Sequence, residues 1–171
     1  MKRCWVGVGL SLVALSAGAQ DTQGRDEVYS ARVSRVFDGD TVWVKPLAGG
    51  QYRKLRLEGI DAPEICQSGG EASRDALARR VLNQVVEVRV RAQDDYGRGV
   101  ARLDHQGDDV AAWLVVNGHA WSYRWRRSPG LFAHEEAMAR KSRLGVFKEA
   151  EAESPRDFRK RYGPCPMPPR G

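Results

Sequence analysis

Cysteine and histidine are scarce in this 171-residue chain, three of each. No C-x-x-C pair occurs and His105, His119 and His134 are scattered, which argues against a structural zinc site. Long apolar runs are also missing. The longest, residues 6–17, is about a dozen residues and falls short of a comfortable membrane span. Charge of one sign is in modest excess, +6 from 28 Lys and Arg against 22 Asp and Glu. That excess favours acidic partners such as nucleic acid, anionic lipid or a polyanionic polymer, although many basic proteins bind none of these. What is abundant is arginine, 22 of the 28 basic residues. Arginine suits bidentate phosphate binding, and a GC-rich genome also inflates its count. With 42% hydrophobic and 29% charged residues, the chain is neither wholly disordered, nor collagen-like, nor a multi-span membrane protein. Its length fits one domain.

The first residues read as an address. Met1-Lys2-Arg3 is positive, residues 6–17 are apolar, and Ala17-Gly18-Ala19 is an A-x-A cleavage signal. This is a secretory signal peptide over 1–19, cut after Ala19, with an uncleaved anchor as the rival reading. The mature chain then has no membrane span and is periplasmic or secreted. No cysteine follows the apolar run, which argues against a lipoprotein. Loss of Lys2 and Arg3 takes the net charge from +6 to +4. Cys66 and Cys165 remain, and in an oxidising compartment an even pair reads as one disulfide. Two unrelated thiols are the alternative.

Residues 20–28 read as a flexible polar segment. Tyr29 to Phe37 is a strand with imperfect alternation, Asp38-Gly39-Asp40 a hairpin turn, and Thr41-Val42-Trp43-Val44 a second strand ending at Pro46. Tyr52 to Ile60 alternates as a third, with Leu55 and Leu57 on one side. Ser68-x-x-Glu71 is a capping-box pattern predicting a helix over 70–83. Strands follow over 85–90 and 98–105. Asp108 or Asp109 caps a short helix through Val116, closed by Asn117-Gly118, and a third helix runs from Ser128-Pro129 to Arg143 with Leu131, Ala137, Met138 and Leu144 apolar. The last 17 residues hold five of the eight prolines, so the tail (148–171) is expected to be extended and pinned by Cys165. Five short strands with helices give a β-barrel plus helices. The usual barrel of this kind is the OB-fold, here five-stranded with about three α-helices and spanning 29–147, and it commonly binds oligonucleotides.

Chemistry clusters at the strand ends. Asp38-Gly39-Asp40-Thr41, the segment from Arg56 to Glu64, and Tyr96-Gly97-Arg98-Gly99 are each, alone, most simply a turn or loop with solvated charges. Together they supply more. Asp40, Asp61 and Glu64 are hard oxygen donors suited to Ca2+ or Mg2+. Arg56 and Arg98 supply two planar cations for the charge that builds on a phosphoryl group. A free carboxylate such as Glu64 can orient or deprotonate water. These are the parts of a metal-dependent phosphodiesterase.

In order and spacing, Val36-Phe37-Asp38-Gly39-Asp40-Thr41, Arg56-Leu57-Glu58-Gly59-Ile60-Asp61-Ala62-Pro63-Glu64 and Asp94-Asp95-Tyr96-Gly97-Arg98-Gly99 resemble the three signature segments of the staphylococcal nuclease (thermonuclease-like) family over about residues 30–147. The resemblance implies an OB-fold barrel and Ca2+-dependent cleavage of DNA and RNA, leaving a 3′-phosphate and a 5′-hydroxyl. It implies that Asp40 and Asp61 ligate Ca2+ through their carboxylates and Ala62 through its carbonyl. Asp38 supports that site from behind. Glu64 positions or activates the attacking water, Arg56 and Arg98 bind the scissile phosphate, and Tyr96 contacts a neighbouring phosphate.

One departure is Asp95, where the family's reference member has a lysine that helps bind phosphate; a carboxylate there repels it. The segment Trp121-Ser122-Tyr123-Arg124-Trp125-Arg126-Arg127 interleaves aromatics with arginine, which suits single-stranded nucleic acid, with Tyr123 nominated as the substrate-binding ring. Trp121 or Tyr123 as core residues among solvated arginines is the equal alternative. The leading expectation is an exported, monomeric, Ca2+-dependent nuclease of little sequence specificity that prefers single strands. A catalytically silent nucleic-acid-binding barrel and a disulfide-stapled envelope protein holding another polyanion are the alternatives.

Overall fold

A computed structural model describes residues 26–149 and 151–165. Residues 1–25, which include the expected signal peptide, residue 150, and residues 166–171 of the tail expected to be extended lie outside them. The strands are β1 (Glu27–Val36), β2 (Thr41–Pro46), β3 (Arg53–Leu57), β4 (Ile60–Asp61), β5 (Val85–Gln93), β6 (Gly99–His105), β7 (Asp108–Asp109) and β8 (Trp121–Ser122). The helices are α1 (Gly70–Val81), α2 (Val110–Val116), α3 (Ala133–Lys141) and α4 (Pro155–Tyr162), with a 3-10 turn at Gly145–Lys148.

β1, β2 and β3 form the expected antiparallel meander; β5 pairs with β1 and with β6, and β6 returns parallel to β3. That last pairing closes a five-stranded barrel, the OB-fold, and removes its free edges. Its interior is apolar and close to fully buried: Ala31, Val33, Val42, Val44, Leu55, Leu57, Val86, Val88, Ala101 and Leu103. Leu77 and Val81 of α1, Val110 and Leu114 of α2, and Phe132 extend this core beyond the strands. A smaller cluster of Trp121, Ala139 and Phe147 packs α3 and the 3-10 turn.

Several expectations change. β1 starts at Glu27, so residues 27 and 28 belong to the barrel and not to a flexible leader. Its imperfect alternation is a bulge: the register with β2 shifts between Val33 and Arg35. The third strand divides into β3 and β4 at a turn through Gly59, whose φ is +77°. The capping box is not formed. Gly69 is the residue before α1 and no side chain caps it. Asp109 does cap α2, accepting from the N–H of Ala111 and Ala112 at 2.8 and 3.0 Å. α3 begins at Ala133 and not near Ser128, because Phe132 is drawn into the core while Gly130 takes a φ of +93°. Leu131, Met138 and Leu144 are exposed; the buried face is Glu136 and Ala139.

The largest correction is the tail, expected extended. Residues 155–162 are helical. Pro155 occupies the first turn, where its missing N–H costs nothing, and Ser154 caps the helix by accepting from the N–H of Asp157 at 3.2 Å. The Cys66–Cys165 disulfide is formed, with Cα atoms 5.8 Å apart.

Candidate active site

Asp40 and Arg56 are neighbours because β2 and β3 pair: Thr41 lies opposite Arg56, and the N–H of Leu57 donates to the carbonyl of Asp40 at 2.8 Å. Asp61 is brought up by β4, which pairs with β8 so that Asp61 faces Trp121. The turn carrying Asp40 is braced by Asp38, whose Oδ1 accepts from the N–H of Asp40 at 3.0 Å. At Gly39 a Cβ would overlap Ser73 Oγ and Ala62 Cβ, so only glycine lets the turn press against α1.

The carboxylates meet across one guanidinium. Arg56 Nη1 donates to Asp40 Oδ1 at 3.0 Å and Nη2 to Asp61 Oδ1 at 3.1 Å. Asp40 also accepts from Thr41 Oγ1 at 3.0 Å and from the N–H of Ala62 at 3.2 Å. Asp40 and Asp61 are 4% and 5% exposed, so their charges are held largely out of water. Burial pushes the Asp40 carboxyl up to about 7, with Arg56 opposing it and Asp38 and Asp61 reinforcing it. The Asp40 carboxylate has a single cationic side-chain partner among the described residues, Arg56. Among the described residues no cage of three His, Cys, Asp or Glu side chains converges. The donor set is instead two hard carboxylates with the Ala62 backbone between β4 and Glu64, which fits a hard divalent cation that keeps waters in its remaining positions.

A cavity of about 710 Å³ opens beside this pair and is lined by Arg56, Glu64, Tyr96, Arg98, Tyr123 and Arg159, among others. Glu64 is partly exposed at its wall. α1 abuts its backbone so closely that a Cβ on Gly70 would overlap the Glu64 carbonyl. Arg98 is set by Asp94, which accepts from the Arg98 N–H at 2.9 Å, from Arg98 Nε at 2.7 Å and from the Tyr96 N–H at 3.0 Å. Those hydrogen bonds outweigh burial and hold the Asp94 carboxyl below its ordinary value. Both terminal nitrogens of Arg98 are left without a hydrogen-bond partner among the described residues. Tyr96 is exposed and lies under the Arg98 guanidinium, ring centroid 5.4 Å away.

The aromatic segment divides. Trp121 is core, whereas Tyr123 is exposed at the cavity and Trp125 is exposed beyond it. Arg124 is held at 3.0 Å by buried Glu136, which also accepts from the Ser122 N–H at 2.9 Å and Arg140 Nε at 2.8 Å. Glu136 thus anchors β8, the strand beside Asp61.

Sequence reasoning missed two residues here. Asp94 stood within a quoted motif without a role, though an acid starting a tight Asp-x-x-Gly turn is the signal that could have supplied one. Arg159 carried no signal. It reaches the site from α4, donating from Nη2 to Asp61 Oδ2 at 2.9 Å and from Nη1 to Asp61 Oδ1 at 3.2 Å and Glu64 Oε1 at 2.8 Å.

A family profile described as staphylococcal nuclease homologue matches residues 54–149. A micrococcal nuclease of Shigella flexneri is 35% identical over 77% of this chain and 81% of its own length. An uncharacterised endonuclease of Haemophilus influenzae is 27% identical over 78% of this chain and 75% of its own. A probable staphylococcal-like nuclease of Oryza sativa subsp. japonica is 36% identical over 63% of this chain, which spans only 22% of that protein's length.

Proposed function

The chain belongs to the staphylococcal nuclease family and is an endonuclease, a phosphodiester hydrolase, and from that premise we propose that it is an exported Ca2+-dependent enzyme cutting DNA and RNA with little sequence preference. The observation that carries the reading is the pair of buried carboxylates, Asp40 and Asp61, joined by Arg56 beside a cavity walled by Glu64 and Arg98.

Asp40 and Asp61 would hold Ca2+ through their carboxylates and Ala62 through its carbonyl, with Asp38 keeping the Asp40 turn in place. When bound, the ion supplies positive charge against the phosphoryl oxygens. Arg98, with both terminal nitrogens directed to no protein acceptor, grips the phosphate as a fork. Arg56 holds the two carboxylates together and turns to phosphate as charge builds there. Glu64 accepts a proton from water, whose oxygen bonds to phosphorus. The P–O5′ bond breaks and the leaving oxygen takes a proton from solvent, giving a 3′-phosphate and a 5′-hydroxyl. Tyr96 contacts a neighbouring phosphate, and Tyr123, exposed at the same cavity, stacks on an unpaired base, which favours single strands. Asp95 lines the cavity too and repels a terminal phosphate, favouring internal cleavage.

Export rests on the signal peptide and is supported by the disulfide, which needs an oxidising compartment. Among the described residues no helix is long and apolar enough to cross a membrane. The test is cleavage of denatured DNA by the mature monomer in Ca2+ and then in excess chelator. Ca2+-dependent cuts ending in 3′-phosphate are expected. Equal cleavage in chelator would refute the metal role, and tight binding without cleavage would leave only a binding barrel.

A further inference from the structure

Arg159 stands where a cation is needed. Its guanidinium spans Asp61 and Glu64, the two carboxylates that hold the ion and the attacking water in the function proposed above. Both Asp61 oxygens accept from it, and so does Glu64 Oε1. While Arg159 keeps these bonds, its hydrogens occupy a lone pair on each Asp61 oxygen and on Glu64 Oε1, and its charge repels a divalent ion.

The placement is built in from both ends of α4. Before the helix, Gln67 Nε2 donates to the carbonyl of Glu153 at 2.8 Å; after it, Cys165 is bonded to Cys66. Both anchors are in the segment that carries Glu64, whose own N–H donates to Gln67 Oε1 at 3.2 Å. α4 therefore straddles Glu64 as a strap. Pro155 is buried, Phe158 is half-buried against Tyr162 with ring centroids 4.9 Å apart, and the side facing the site presents Arg159. Tethering of this kind holds a group at an effective concentration in the millimolar range.

We propose that α4 is an autoinhibitory strap: Arg159 is an internal counter-cation that competes with the divalent ion for Asp61 and with the attacking water for Glu64, and the Cys66–Cys165 bond keeps it in place. This inference rests on the metal-dependent reading of the site. Arg159 acts through the carboxylates and is a positioning residue. Its loss exposes Asp40, Asp61 and Glu64 to their mutual repulsion, and that repulsion is relieved when the ion binds.

The test is calorimetric titration of Ca2+ into the mature protein, Arg159→Gln and Cys165→Ser, each without nucleic acid, with melting temperatures taken with and without Ca2+. Arg159→Gln is expected to bind Ca2+ at least tenfold more tightly, to melt lower without Ca2+ and to gain more from it. Cys165→Ser is expected to tighten binding by a smaller factor, because Arg159 is then tethered at one end only. Unchanged or weaker Ca2+ affinity in Arg159→Gln, in a protein that still cleaves DNA with Ca2+, overturns the strap and leaves the function standing. Absence of Ca2+ binding in all three overturns both.

Discussion

At the scale of single residues the site is a balance of buried charge. Asp40, Asp61 and Glu64 are answered by Arg56 from β3 and Arg159 from α4. Arg98 is held apart from this group by Asp94, whose carboxylate takes its Nε and leaves the terminal nitrogens for substrate. Asp94→Ala should leave the fold intact and lower turnover by about tenfold or more, because a phosphate donor that wanders loses preorganised stabilisation. The same variant has a pH signature. The native state holds the Asp94 carboxyl below its ordinary 3.8, so its stabilising contribution is present above about pH 4 and lost as the pH falls through the native value. Acid unfolding followed by circular dichroism should therefore be less steep below about pH 4 in Asp94→Ala. An unaltered acid limb and unaltered turnover would show that Asp94 does not set Arg98.

At the scale of elements, turns and short strands set the site more than long helices do. The two-residue pairing of β4 with β8 positions Asp61, and Glu136 of α3 fixes β8 from below. The turn between β1 and β2 has no room at Gly39, where a methyl would meet Ser73 and Ala62. Gly39→Ala should cost about 1–3 kcal/mol, the usual range for overpacking, and should also lower Ca2+ affinity because Asp40 moves with the turn. Urea unfolding and calorimetry measure the two; a stable variant with unaltered Ca2+ affinity would contradict this packing account. The barrel strands were legible because 41–44 is β-branched and aromatic, leucine alternates with charge over 54–58, and valine alternates with charge over 86–91. α4 was not. Five prolines in the last 17 residues weighed as one composition, whereas Pro155 sits at a helix start and the other four come after the helix ends. The capping box failed for a related reason, since a local pattern does not report that Gly70 must lie against the backbone of Glu64.

At the scale of the whole molecule, a closed barrel brings together side chains from turns far apart in sequence, and the disulfide adds α4 to them. Cys66 and Cys165 are 99 residues apart, so the chain-entropy model gives the crosslink roughly 4–5 kcal/mol. Asp40, Arg56, Asp61, Glu64 and Arg98 were legible as candidates because three short motifs carry them in order. That Asp40 and Asp61 share one guanidinium, and that Arg159 joins them across 98 residues of sequence, is long-range geometry that no spacing encodes. In the proposed function these separated groups act as one hydrolytic centre with Glu64 as the base. Single-turnover cleavage of denatured DNA at saturating Ca2+, by the mature protein and by Glu64→Gln, tests it most directly. A general base contributes about 10²–10⁴-fold, so a loss of that size is expected at an unchanged melting temperature. A folded Glu64→Gln protein that cleaves at the parent rate would show that Glu64 is not the base.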